Sequence, residues 1–144
     1  RDLVDVAPFR NADALVQVMI NLLANAADAT AKQADRRIII RTRFASGLQL
    51  HSSADGTALR LPIELRISDN GPGIAADLRE HVFEPFVTSK KSGQGLGLAL
   101  VRRLLRDMNG RINHDRDEVT GWTHFRVHLP MSRATPRSEQ ERAA

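Results

Sequence analysis

The 144-residue chain predicts an α+β domain, a two-layer sandwich in which helices cover one face of a mixed, mostly antiparallel sheet. Three observations lead there. A long segment near the start repeats its apolar residues at three and four, two alternating segments flank a polar loop, and a second helical stretch runs straight into an alternating hairpin.

In the first helical segment Leu15, Val18, Met19, Leu22, Ala26 and Ala29 keep the spacing, with Asn11 and Asp13 as capping residues before it, so a helix is expected from about Ala12 to Lys32. RRIIIRTRF and LRLPIELRISD then read as two strands joined by a long hairpin loop from Ala45 to Leu61. That loop is a partner site or a simple insertion. After the turn DNGPGI, a short helical piece is expected around Asp77 to Val82, then a mobile loop from Glu84 to Gln94. LGLALVRRLLRDMNG is helical with Gly110 as candidate C-cap, and RINHDRD with WTHFRVHLP makes the final hairpin. Residues 1–131 form the expected domain. The polar tail, residues 132–144, has no apolar anchor and is expected to be disordered.

Composition removes several function classes. With no cysteine, the chain has no disulfide framework, thiolate metal site or cysteine nucleophile. No apolar run reaches the ~18–20 residues that cross a bilayer, and the first residues lack a signal-peptide layout, so a chain without membrane contact is expected. The charge of +4 raises nucleic acid, with Lys90, Lys91, Arg102, Arg103 and Arg106 as the densest basic stretch. The six aromatics, five Phe and one Trp, are not interleaved with those cations, so no nucleic-acid partner is expected. The chain also opens without methionine and inside what reads as an extended segment, which suggests a fragment of something longer.

Three segments carry chemistry. Asn21, Asn25 and Asp28 stand at i, i+4 and i+7, a polar stripe within a sector of roughly 60° on an otherwise apolar helix. Such half-buried amides bond to neighbouring backbone or offer oxygen ligands to Mg²⁺. DNGPGI, Asp69 to Ile74, puts a carboxylate at a strand end, able to accept from an exocyclic amine, and two glycines that let something flat approach. An ordinary turn would use the same residues. Gly71, Gly73 and Ala76 also fit a dinucleotide fingerprint, but that motif opens a full-length helix and here a lysine-rich loop follows. In SGQGLGLAL, Gly93, Gly95 and Gly97 alternate and lead into a helix, where free N–H groups and the helix dipole meet phosphate. Thr88, Ser89, Lys90 and Lys91 precede it on a segment suited to closing over a triphosphate, or to a solvated charge run.

The order NLLANAADA, DNGPGI, FEPF and GQGLGL, from Asp13 to Pro130, resembles the N, G1, F and G2 boxes of sensor histidine kinases, members of the Bergerat-fold superfamily that includes gyrase, mismatch-repair and heat-shock chaperone ATPases. IIIRTRF, LRLPIELRISDNGPGI and VFEPFVTSKKSGQGLGLALV look most like the nitrogen-regulation sensor kinases of bacteria.

The resemblance implies a site for ATP or ADP with Mg²⁺. Asn25, helped by Asn21, would ligate Mg²⁺, and Asp69 would accept from the adenine amine, with Gly71 and Gly73 bordering the base and Ile74 against its face. Asp28 would lie near ribose or phosphates, and Thr123 would support Asp69. Phe83 and Phe86 would anchor the lid ends by apolar packing. Thr88, Ser89, Lys90, Gly93, Gly95, Leu96 and Gly97 would hold the β- and γ-phosphates, with Asn21, Asn25 and Lys90 carrying catalysis by positioning and charge neutralisation. Superfamily ATPases place a glutamate base where this chain has Asn21, and an amide cannot take a proton from water. The acceptor is therefore expected to be a histidine of a dimerisation domain outside this chain, since His51, His81, His114, His124 and His128 lack the phosphoacceptor context. A response regulator and a PII-type regulatory protein are the implied partners, in the cytoplasm. A nucleotide-binding docking module without kinase activity is the alternative.

Overall fold

The computed structural model describes residues 6–44, 49–51, 58–87 and 96–131. Helix α1 (Val6–Ala29) leads into β1 (Ile38–Phe44), then β2 (Gln49–His51), β3 (Ala58–Arg60) and β4 (Ile63–Asp69). Helix α2 (Gly97–Asp107), β5 (Arg111–Asp117) and β6 (Trp122–Leu129) complete the order. The expected tail, 132–144, lies outside the described residues.

α1 starts earlier than its capping residues suggest. Asn11 and Asp13 stand inside the helix, because Pro8 falls in the first turn, where its missing N–H has no intrahelical acceptor to lose, and a formed helix extends at little cost. Its end comes at Ala29 rather than Lys32. There the Thr30 hydroxyl donates to the carbonyls of Ala26 (2.9 Å) and Ala27 (3.3 Å), and Arg36 Nη2 donates to Ala27 O at 2.9 Å, so side chains satisfy the last carbonyls.

The four-stranded sheet has the order β1-β4-β6-β5. All three of its ladders are antiparallel, so the parallel member allowed for in a mixed sheet is not found among the described residues. The loop between β1 and β4 holds a ladder of its own, β2 with β3. Pro62, with no N–H to donate, separates β3 from β4.

The helical piece expected at 77–82 is a chain of turns. Leu78 N donates to Ala75 O, His81 N to Leu78 O and Glu84 N to His81 O, one bond every third residue, too sparse to repay helix nucleation. The C-cap of α2 differs too. Asn109 takes the left-handed conformation (φ 58°) expected of Gly110, and a Schellman pair forms, Gly110 N to Leu105 O at 2.7 Å and Asn109 N to Arg106 O at 3.0 Å. Gly110 is needed for space, since a Cβ there would stand 3.0 Å from His128 O.

The core lies between the helices and one sheet face. Val18, Leu22 and Ala26 of α1 and Val101 and Leu105 of α2 pack on Leu65 and Ile67 of β4 and Phe125 and Val127 of β6. Each large side chain so buried contributes about 1.5–3 kcal/mol. On the other face, β4 and β6 carry polar residues in register. Glu64 stands opposite His128, with Oε2 3.2 Å from His128 Nε2 and accepting from Arg43 Nη2 at 3.2 Å.

Candidate functional site

The site grows from the end of β4, where strand alternation turns Asp69 onto the helix-covered face beside Ile67. Asp69 is 1% exposed, and Oδ1 accepts from Gly71 N at 3.0 Å. Burial pushes this carboxyl up. The Gly71 amide and the charges of Arg116 and His124 pull it partly back, and it stays above the ordinary aspartate range.

Asn70 fixes the turn that follows. Its Oδ1 accepts from Arg37 N (2.9 Å), its Nδ2 donates to Asp35 O (2.7 Å), and its carbonyl accepts from Gln33 Nε2 (3.0 Å), which ties the turn to the connection after α1. A Cβ on Gly71 would stand 2.5 Å from Ala29 O, so only glycine lets the turn reach the end of α1. Gly73 has φ +86°, and a Cβ there would meet Arg116 at 3.1–3.2 Å.

The β4–β6 register sets Thr123 opposite Asp69. Its hydroxyl is engaged by Arg116 on β5, whose Nη1 donates to Thr123 Oγ1 at 3.0 Å and to Gly71 O at 2.7 Å. Ile74, Arg116 and Thr123 line a cleft of about 240 Å³ with Arg79, His114, Asp115 and Glu118.

α1 brings the polar stripe to the same end of the molecule. Asn21 uses both of its polar atoms, with Oδ1 accepting from Gln17 Nε2 (2.8 Å) and Nδ2 donating to Gly97 O (3.1 Å) at the first residue of α2, and its oxygen keeps a second lone pair. Asn25 is half-buried and makes no hydrogen bond among the described residues, so its oxygen is open to a hard cation, as the donor chemistry of such a site requires. Asp28 lies on the exposed side of the same helix. At the start of α2, Leu96 makes no side-chain cap and no acidic residue stands in the first turn, so among the described residues no side chain is shown to cap its first N–H groups, which suit an anion. A Cβ on Gly97 would meet no described residue within 4 Å.

Gly71 thus meets the end of α1, Asn21 meets the start of α2, and Asp69 is buried at the end of β4. A family model described as the histidine kinase-, DNA gyrase B- and HSP90-like ATPase matches residues 10–133. The chain belongs to this ATPase family. Among its relatives, the sensory histidine kinase/phosphatase NtrB of Rhizobium leguminosarum bv. phaseoli is 42% identical over 127 residues, 88% of this chain and 33% of that protein. NtrB of Escherichia coli O157:H7 is 38% identical over 122 residues, 83% and 32% of the two chains. This chain thus spans about a third of the relatives it matches. Among solved structures, the mycobacterial sensor histidine kinase MprB superposes with a TM-score of 0.64 at 27% identity, covering 82% of this chain and 72% of that one. The catalytic domain of histidine kinase ThkA, nucleotide-free, gives 0.62 at 28% identity over 82% and 66%. Full-length ShkA in complex with AMPPNP gives 0.53 at 29% identity, over 85% of this chain and 22% of that one.

In this ATPase-family domain the two phenylalanines of FEPF part company. Phe83 packs inward, its ring 5.8 Å from His114 and 6.3 Å from Phe125. Phe86 departs from the expected apolar anchoring: it is 77% exposed and its backbone is left-handed (φ 68°), because the turn after Pro85 directs it away from the core. Thr88, Ser89, Lys90, Lys91, Gly93 and Gly95 lie outside the described residues. Sequence reasoning missed Gln17, which orients Asn21, and Arg116. The signal for Arg116 was available, since alternation in RINHDRD places Ile112, His114 and Arg116 on the inward face, where a cation needs a partner.

Proposed function

We propose that this domain binds Mg-ATP and holds it for transfer of the γ-phosphate to a histidine on a dimerisation domain of the same sensor kinase, a kinase of the nitrogen-regulation type. The observation that carries this is a buried acceptor, Asp69, in the same domain as Asn25, an amide with no hydrogen bond among the described residues, and a helix start with no side-chain cap from Leu96.

Asp69 accepts the exocyclic amine of adenine, and its burial makes that bond strong because water does not compete. Ile74 offers an apolar face to the base. Asn25 presents its oxygen as a metal ligand, and Asn21 supports it by holding α1 to the start of α2. The N–H groups around Gly97, with Lys90, Thr88, Ser89, Gly93, Gly95 and Leu96 of the preceding segment, hold the β- and γ-phosphates. When bound, Mg²⁺ supplies charge neutralisation between phosphate oxygens. No side chain at position 21 takes a proton from water, which favours transfer to a histidine over hydrolysis. A response regulator then receives the phosphoryl group in the full-length cytoplasmic kinase, and a PII-type protein regulates it.

Titration calorimetry of the chain with ADP, ATP and GTP, with and without Mg²⁺, tests the binding step. Mixing the chain with the separately produced dimerisation domain of the same kinase and radiolabelled ATP tests transfer. Adenine-specific binding with label on the dimerisation domain is the expected result. Binding without transfer would leave a nucleotide-binding docking module, and no binding at millimolar nucleotide would sink the reading.

A further inference from the structure

Two arginines hold the turn from Asp69 to Ile74: Arg79 Nε donates to Ile74 O at its far end (3.0 Å), and Arg116 donates to Gly71 O, two residues from Asp69. Arg116 reaches there from β5, 45 residues away from its acceptor Gly71. Nη1 carries both of its hydrogen bonds, to Gly71 O and Thr123 Oγ1. Gly73, with no side chain, lies directly over the guanidinium, and Ile74 and Thr123 border the same cleft. Nε and Nη2 make no hydrogen bond to a described residue, so donors remain on a guanidinium held at Gly71, the residue whose N–H donates to Asp69 Oδ1. A guanidinium keeps its charge and its planar fork at any working pH.

We infer that Arg116 is a specificity-determining residue of the base site: with Asp69 it forms an acceptor–donor pair that reads the two adjacent edge positions of adenine, the amine and the neighbouring ring nitrogen. This rests on the proposed nucleotide reading and deepens it. Asp69 accepts from the amine, and Arg116, directly or through the Thr123 hydroxyl that it orients, donates to the ring nitrogen. Guanine inverts both positions. It sets a carbonyl oxygen against the carboxylate and an N–H against the guanidinium, so the pair rejects it twice. Asp69 alone reads one position.

The test compares ADP with its 1-deaza analogue, in which that ring nitrogen is replaced by C–H, by calorimetry on the whole chain as wild type, Arg116→Met and Arg116→Lys. The ratio of the two affinities is internal to each variant, so a general loss of stability cancels. In the wild type, removing the acceptor should weaken binding about tenfold. In Arg116→Met the ratio should fall to near one, and GDP should gain on ADP, whereas Arg116→Lys, which keeps a donor, should retain part of the ratio. A ratio that stays the same in wild type and Arg116→Met overturns the inference, as does tighter ADP binding by Arg116→Met at an unchanged ratio, which would make the side chain a plug. Failure of the wild type to bind ADP at all would instead remove the nucleotide reading itself.

Discussion

Gly71 stands so close to Ala29 that a Cβ on the glycine would lie 2.5 Å from the alanine's carbonyl oxygen. The obstacle is backbone at the end of a helix, so it does not swing aside. Gly71→Ala should therefore push the turn off α1, cost about 1–3 kcal/mol in urea denaturation, and lose ADP binding by calorimetry through the displaced Asp69 amide contact. Full binding at full stability would show that the turn has slack.

Asp69 works against the fold that houses it. Its folded pKa is raised above its ordinary value near 3.8, so its contribution to stability is complete below that value and is lost as pH rises through the folded one. At pH 7 the ionised carboxylate is a net cost. Asp69→Asn should melt no lower than wild type at pH 7, with the gap closing in acid, while ADP affinity falls at least tenfold. Wild-type ADP binding should itself weaken in acid, as Asp69 takes up a proton.

Glu64 behaves in the opposite sense. Burial pushes its carboxyl up, but the His128 hydrogen bond and the charges of Arg43 and His128 outweigh it and leave it below its ordinary value near 4.5. Its stabilisation is present above that value and lost as pH falls through the lower folded one. Glu64→Gln should cost about 1–3 kcal/mol at pH 7 and flatten the acid limb of a stability–pH curve. Because the pair lies on the face away from Asp69, nucleotide affinity should stay unchanged.

The two asparagines of α1 should separate stability from metal dependence. Asn21→Ala breaks the tie to Gly97 O and should lower stability by about 1 kcal/mol. Asn25→Ala removes no hydrogen bond among the described residues and should stay within about 0.5 kcal/mol of wild type, yet abolish the effect of Mg²⁺ on ATP binding. Thermal melts and calorimetry with and without Mg²⁺ read both.

Much of this was legible because it is periodic. Val18, Leu22 and Ala26 repeat on one helix face and Leu65 and Ile67 alternate on one strand face, and the core joins those residues. What misled was local chemistry with more than one use. Asn11 and Asp13 look like caps, but an exposed helix accepts them inside at small cost. Asn109 and Gly110 both suit a helix end, and crowding from His128 assigned them their places.

The sequence by itself determined the two long helices, the four strands of the main sheet and the residue types of the site, because backbone spacing turns side chains to one face whatever the surroundings. Only the tertiary structure decided which residues meet. Strand register brought Thr123 beside Asp69, and the β5 alternation carried Arg116 to Gly71. The same packing turned Phe83 into the core and left Phe86 outside. These outcomes depend on contacts between segments tens of residues apart, and burial, not local preference, sets their energy.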